Sequence, residues 1–339
     1  MIIDLLSRWV NRDDNAIRDF HLAPAVRYKR VMMRPGFNPD QATDIRGDSW
    51  MLRLTPRPWR PYLRLLRADR PIGTWLLLLP CLWSVTMAAK ASGADMPPAA
   101  FVALFALGAF VMRGAGCVIN DLWARDIDGQ VGRTAQRPIA SGEVPVRVAI
   151  WFLGALLLVG LGVLVQFNAT AITLGITSLA LVVVYPLMKR ITYWPQAFLG
   201  LTFNWGALLA WASITGEVET PAVVMYVAGF FWTLGYDTVY GHQDKADDIL
   251  VGVKSSSIKL GRHTRPFVYC VYALTVLLLA IAGALSGLGW FYFVMLACGA
   301  MQMAWQVSTL KIDVPDNCLA RFKSNRDFGL IVFLGALLG

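Results

Sequence analysis

Uncharged apolar stretches close to 20 residues long recur along this chain, and no other feature constrains its fold as strongly. They lie at roughly 72–89, 98–119, 147–167, 170–187, 195–214, 221–238, 266–285, 289–307 and 327–339, the last being short. A helix needs about 17–25 such residues to cross about 30 Å of hydrocarbon. The runs are continuous rather than alternating, which predicts helices and excludes a barrel. Composition agrees: only 16% of the 339 residues are charged, against about 25% in a soluble domain. The expectation is an all-α, polytopic transmembrane helix bundle of about nine spans.

The net charge of +9 raises the question of nucleic acid, but its distribution excludes that partner. Of the 31 lysines and arginines, Lys90 alone lies on one side of the predicted spans, and Arg113 sits within a span. Nearly all the rest fall in the N-terminal arm and in the connections at 120–146, 188–194, 239–265 and 308–326. The positive-inside rule makes that side cytoplasmic, with the N-terminus inside. Residues 1–60 read as a polar, Arg-rich arm touching anionic headgroups, broken by Pro56 and Pro58, and 61–339 as the transmembrane domain. No apolar region comes early enough for a signal peptide. Asp4, Asp13, Asp14 and Asp19 interrupt the arginines that a mitochondrial transit peptide would carry. A multi-pass protein of a bacterial cell inner (cytoplasmic) membrane is expected. Five cysteines without a C-x-x-C pair and three scattered histidines support neither a disulfide framework nor a zinc site.

Two acidic runs sit at span ends on the basic side. The first contains Asn120-Asp121, Asp126 and Asp128, and on a helix Asp121 and Asp128 share a face. Arg113 lies two turns before Asn120, at a depth where an ionised group is functional by default. The second run places Asp237, Tyr240, Asp244 and Asp248 at i, i+3, i+7 and i+11, again on one face. Carboxylates stacked in this way repel unless a cation sits between them. Magnesium takes carboxylate oxygens and leaves room for phosphate oxygens, so two such faces suit Mg2+ ions gripping one diphosphate. Basic partners on the same side are Arg133, Arg137, Lys189, Arg190 and Lys254.

These residues carry a resemblance. Asn120-Asp121, Asp128 and Arg133-Thr-Ala-Gln-Arg137-Pro138 resemble the first signature of the UbiA superfamily of intramembrane prenyltransferases. Tyr236-Asp237-Thr-Val-Tyr240, Asp244 to Asp248 and Gly252-Val-Lys254-Ser255 resemble the second. Arg67-Ala-Asp69-Arg70-Pro71-Ile72-Gly73, Tyr185-Pro186-Leu-Met-Lys189-Arg190, Tyr193-Trp-Pro195-Gln196 and Phe322-Lys323-Ser324-Asn325 resemble its 4-hydroxybenzoate polyprenyltransferase branch.

The resemblance implies a bundle around a central cavity. It also implies Mg2+-dependent transfer of a polyprenyl group from polyprenyl diphosphate to the carbon ortho to the hydroxyl of 4-hydroxybenzoate, in ubiquinone biosynthesis. By position, Asn120, Asp121 and Asp128 would meet one metal, and Asp244 and Asp248 the other. Arg70, Arg137, Lys189, Arg190, Lys254, Tyr236, Asp237 and Tyr240 would line the substrates, with Arg190 and the acids catalytic. One departure stands out: Ala124 occupies the place of the family's middle motif aspartate. Transfer to another aromatic or lipid acceptor, or an intramembrane cation transporter, are the alternative readings.

Overall fold

The computed structural model describes residues 50–128, 134 and 136–339, with backbone alone at residues 50, 126–128, 244, 246, 247, 250 and 251. Most of the N-terminal arm, together with Arg133, therefore lies outside the described residues. Every regular element among the described residues is helical. Two short helices, α1 (Trp50–Leu54) and α2 (Arg60–Leu65), precede the first long one. The long helices are α3 (Ile72–Ala91), α4 (Ala99–Asp128), α5 (Val146–Leu164), α6 (Ala169–Ile191), α7 (Pro195–Thr215) and α8 (Thr220–Val251). A short α9 (Ser256–Leu260) leads to α10 (Thr264–Leu285) and α11 (Trp290–Ser308), and α12 (Pro315–Lys323) leads to α13 (Asn325–Leu338).

Each of the nine predicted apolar stretches coincides with a long helix or, for the last, with the 14-residue α13. Among the described residues, seven helical stretches are long and apolar enough by themselves to cross a membrane, and α11 and α13 are not among them. The expected count of nine is thus not reached on length and hydropathy. In α11 and α13 polar side chains are spent on neighbouring helices: Gln302, Gln306 and Asn325 hydrogen-bond within the bundle.

Packing follows a ring. Helix α3 lies against α4, α7 and α13, α7 against α6 and α8, and α10 and α11 continue from α8 back to α13. Of the most apolar window in each helix, 78% is buried in α3 and 6% in α6, so α3 is central and α6 is a lipid-facing wall. Lipid is as apolar as a core side chain, so close contact here rests on shape and hydrogen bonds rather than on water exclusion. Trp83 shows both: its ring lies 4.9 Å from that of Trp232, and its indole N–H donates to Gly329 O at 2.8 Å. Gly329 must lack a side chain, because a Cβ there would overlap Leu79. Asn168 caps α6 by accepting from Ala171 N at 3.0 Å and donates to Ala212 O at 2.6 Å, which pins the start of α6 to the end of α7.

Helices α4 and α8 have 30 and 32 residues. At 1.5 Å per residue they reach about 45 Å, well beyond about 30 Å of hydrocarbon. Their C-terminal turns carry both acidic runs out at the basic face.

Candidate active site

A cavity of about 1220 Å³ opens among α3, α4, α5, α6, α7 and α8. Its two ends differ in chemistry because the helices run through it in register. At the basic face the walls are the ends of α4, α6 and α8 and the segment before α3. Farther in, Leu104 and Phe105 of α4, Leu157 and Leu161 of α5, and Ile176 and Leu179 of α6 make an apolar chamber. Polar at one end and greasy at the other, this space fits an amphiphile whose charged head stays near the basic face.

Most of the residues singled out from the sequence meet on this cavity. Arg70, Asn120 and Arg137 line it from one side, Lys189 and Arg190 from the end of α6, and Tyr236, Asp237, Tyr240 and Asp248 from α8. Lys254 joins them because Gly252, at φ 75°, ends α8 and turns the chain back, so that Lys254 N donates to Lys189 O at 3.0 Å. The Lys254 ammonium then donates to Ile191 O at 3.2 Å and lies 5.5 Å from the Tyr193 ring centre. Lys189 stands 5.8 Å from the ring of Tyr185, one turn earlier on α6. Tyr236 is held by its core: its hydroxyl accepts from Thr233 at 3.1 Å. The side chains of Asp128 and Asp244 lie outside the described residues, although both backbone positions are helical.

Asp121 departs from expectation. It is 1% exposed and does not line the cavity. The cavity-facing stripe of α4 instead includes Arg113, Gly116, Cys117, Asn120 and Ala124. Asp121, one residue and about 100° from Asn120, turns toward the segment that precedes α3. There Arg67 Nη2 donates to both of its carboxylate oxygens, at 2.8 and 2.9 Å, and Arg137 Nη1 donates to Oδ1 at 3.3 Å. Asp121 thus does not lie beside Asn120 on the cavity, where the described side chains at the end of α4 are Asn120, Trp123 and Ala124. Position 124, where the family motif carries an aspartate, does face the cavity.

Arg113 lies seven residues deeper than Asn120, about 10 Å along the helix axis. Its guanidinium sits 5.6 Å from the Phe203 ring centre, and its Nε is buried with no hydrogen-bond partner among the described residues. Gly73 leaves the room it needs on α3. Sequence reasoning assigned no role to Arg67, Gln243, Asp316 or Lys323, all of which line the cavity. Arg67 and Lys323 stand within segments that resemble the family. Asp316 belongs to α12, which packs on α8, and no local pattern reveals that contact.

Among the described residues, no group of three His, Cys, Asp or Glu side chains forms a closed metal cage. Magnesium does not need one, since it binds through one or two carboxylates plus water and phosphate oxygens. Asn120, Asp237 and Asp248 give the cavity an all-oxygen donor set, and that chemistry fits a hard cation arriving with a diphosphate.

Helical architecture, an amphipathic cavity and two polar helix ends at one face together define an intramembrane enzyme of lipid-like substrates. Residues 77–334 match the UbiA prenyltransferase family, and the chain belongs to it. It is 49% identical over 286 residues to the human 4-hydroxybenzoate polyprenyltransferase, mitochondrial, covering 84% of this chain and 76% of that protein. To the Arabidopsis thaliana protein of the same name it is 46% identical over 297 residues, covering 87% and 72%. Among solved structures, a UbiA homolog from Aeropyrum pernix K1 superposes with a TM-score of 0.65 at 24% identity, covering 78% of this chain and 97% of that one. A homolog from Archaeoglobus fulgidus bound to GPP and Mg2+ gives 0.55 at 18% identity, covering 82% and 99%. These two show the fold. The expectation of a bacterial inner membrane is overturned, because the curated relatives from animals and a plant are mitochondrial proteins. Acidic residues among the arginines of the N-terminal arm were a poor guide to the membrane in question.

Proposed function

We propose that this chain transfers a polyprenyl group from polyprenyl diphosphate to the carbon ortho to the hydroxyl of 4-hydroxybenzoate, a step of ubiquinone biosynthesis, in a mitochondrial membrane. The observation that carries this reading is a continuous cavity running from a charged mouth to an apolar chamber, in a chain nearly half identical to enzymes of that name. The allylic C–O bond breaks and diphosphate leaves with the electron pair. The ring carbon then attacks the allylic cation, and the proton on that carbon is lost.

Departure of the diphosphate is the step that charge must assist. Magnesium, when bound, neutralises the diphosphate oxygens and orients them. We assign its contacts to Asn120 and Asp128 on α4 and to Asp244 and Asp248 on α8. Arg70, Arg137, Lys189, Arg190 and Lys254 surround the diphosphate, since guanidinium and ammonium groups donate to phosphate oxygens. Asp237 and Tyr240 orient the head from α8, with Tyr236 behind them. Arg113 is the cation at the depth where the aromatic carboxylate would sit, with Phe203 beside it for the ring. The apolar chamber holds the prenyl tail and keeps water from the cation.

The test is a membrane assay with radiolabelled 4-hydroxybenzoate and polyprenyl diphosphates of several lengths, with and without magnesium. Lipid-soluble product that requires magnesium, and is lost in Asp244→Asn and Asp248→Asn at normal expression, is the expected result. No such product at any chain length overturns the proposal, and product with a different acceptor in a panel reassigns the substrate.

A further inference from the structure

We infer that Asp121 is a positioning residue that aims Arg67 and Arg137 at the diphosphate end of the cavity, and that Arg67 is itself a diphosphate-binding residue. The inference rests on the prenyl-transfer reading for the identity of the anion, and otherwise on geometry alone.

Three observations converge. First, Arg67 and Arg137 line the cavity, whereas Asp121, which both of them grip, does not. The carboxylate thus lies behind two arginines that line the cavity. Second, both Asp121 oxygens accept from these cations, at 2.8, 2.9 and 3.3 Å. A dication taking the same oxygens would have to displace buried charge-assisted hydrogen bonds and sit against two positive groups, so the site is built for arginine rather than for metal.

Third, Arg67 holds a backbone conformation that suits it poorly. It follows the end of α2 at φ 57°, and it is the one residue other than glycine with positive φ among the described residues. Around it Arg67 N donates to Arg64 O at 3.1 Å and Ala68 N to Leu63 O at 3.0 Å. That is the hydrogen-bond pattern of a helix stop whose left-handed position usually takes glycine. A strained non-glycine residue persists where the surrounding structure holds it, and such residues cluster at functional sites. Here a glycine would satisfy the turn but could not reach Asp121 or the cavity. The side chain, not the turn, accounts for arginine at this position.

The experiment uses the full-length enzyme in membranes and compares wild type with Asp121→Asn, Arg67→Gly and the double variant. Each single variant is expected to raise KM for polyprenyl diphosphate about tenfold or more, the loss of one or two hydrogen bonds to a charged group. The magnesium concentration for half-maximal rate and the KM for 4-hydroxybenzoate stay at wild-type values, and inhibition by inorganic pyrophosphate weakens in step with KM. Arg67→Gly relieves the left-handed backbone but leaves the buried Asp121 carboxylate with Arg137 alone, so a fall in Tm accompanies the rise in KM. The double variant raises KM above Arg67→Gly alone, because Arg137 then loses its anchor too.

A raised magnesium requirement at unchanged KM in Asp121→Asn would make Asp121 a metal ligand and end the inference. A lower Tm with unchanged KM in Arg67→Gly would make the pair a structural staple only. If Asp121→Asn fails to accumulate, Arg67→Gly decides the matter by itself. A wild type that binds pyrophosphate through Arg67 yet prenylates no benzoate would defeat the proposed function and leave this inference standing.

Discussion

The half of the bundle made by α3, α7, α8, α10, α11 and α13 is stitched through its interior by polar side chains, whereas α4, α5 and α6 wall a cavity. In the stitched half, the Trp232 indole donates to Asn325 at 2.8 Å, Asn325 donates to Gln306 at 3.1 Å, and Tyr272 donates to both Gln306 and Asn325 at 3.3 Å. All four side chains are buried, and the network ties α8, α10, α11 and α13 together. On the other side α5 and α6 touch each other sparingly, and their outer faces carry lipid-exposed residues such as Trp151 and Val183. The stitched half thus carries most of the interior polar contacts, and its helices α3, α7 and α8 turn another face to the cavity that α4, α5 and α6 close. The two acidic helix ends come one from each half, α8 from the stitched side and α4 from the open one, so the charged mouth spans the boundary.

That division is open to attack by substitution. The largest effect is expected for Trp83→Ala in the stitched half. Trp83 is fully buried against Trp232 and Phe328, and its truncation should cost about 3–5 kcal/mol, read as a fall in Tm in detergent. Asn325→Leu comes next. It leaves the Trp232 N–H and its other partners unpaired, at about 2–3 kcal/mol, again seen in Tm. A loss of activity without a loss of Tm in either variant would contradict a scaffold role for this half.

The open half should respond in the opposite way. Gly154 lines the cavity, and a Cβ there meets nothing within 4 Å. Gly154→Leu should therefore leave Tm nearly unchanged while lowering kcat/KM for long polyprenyl diphosphates about tenfold relative to geranyl diphosphate, an energy of about 1.4 kcal/mol. Equal losses for short and long chains would place the tail elsewhere. Ala124→Asp adds a carboxylate to the stripe that holds Asn120, and magnesium should then half-saturate at a concentration lower by about two- to fivefold; an unchanged titration removes position 124 from the metal. The smallest effect belongs to Arg64→Ala. The Arg64–Glu143 ion pair at 2.5 Å is partly exposed, and its loss should shift stability by less than about 1 kcal/mol in a thermal melt.

Much of this molecule is written locally. Long apolar runs require spanning helices, because a backbone in hydrocarbon must satisfy its own polar groups. Lysine and arginine placement identifies one face. The period of α8 puts Asp237, Tyr240 and Asp248 on one stripe, and they do meet on the cavity. The choice between Asn120 and Asp121 was not written in this way. A helix of a soluble protein shows by its apolar stripe which way it faces, but in a membrane both the lipid side and the core side are apolar, so the rotation of α4 was left to its packing against α3 and α5. Tertiary structure alone turned Asn120 and Ala124 inward and handed Asp121 to Arg67 and Arg137. It also brought Asp316 and Lys323 of α12 to a mouth formed by helices far earlier in the chain. Spans, faces and helical stripes are properties of short segments; which side of a stripe meets the substrate is a property of the whole bundle.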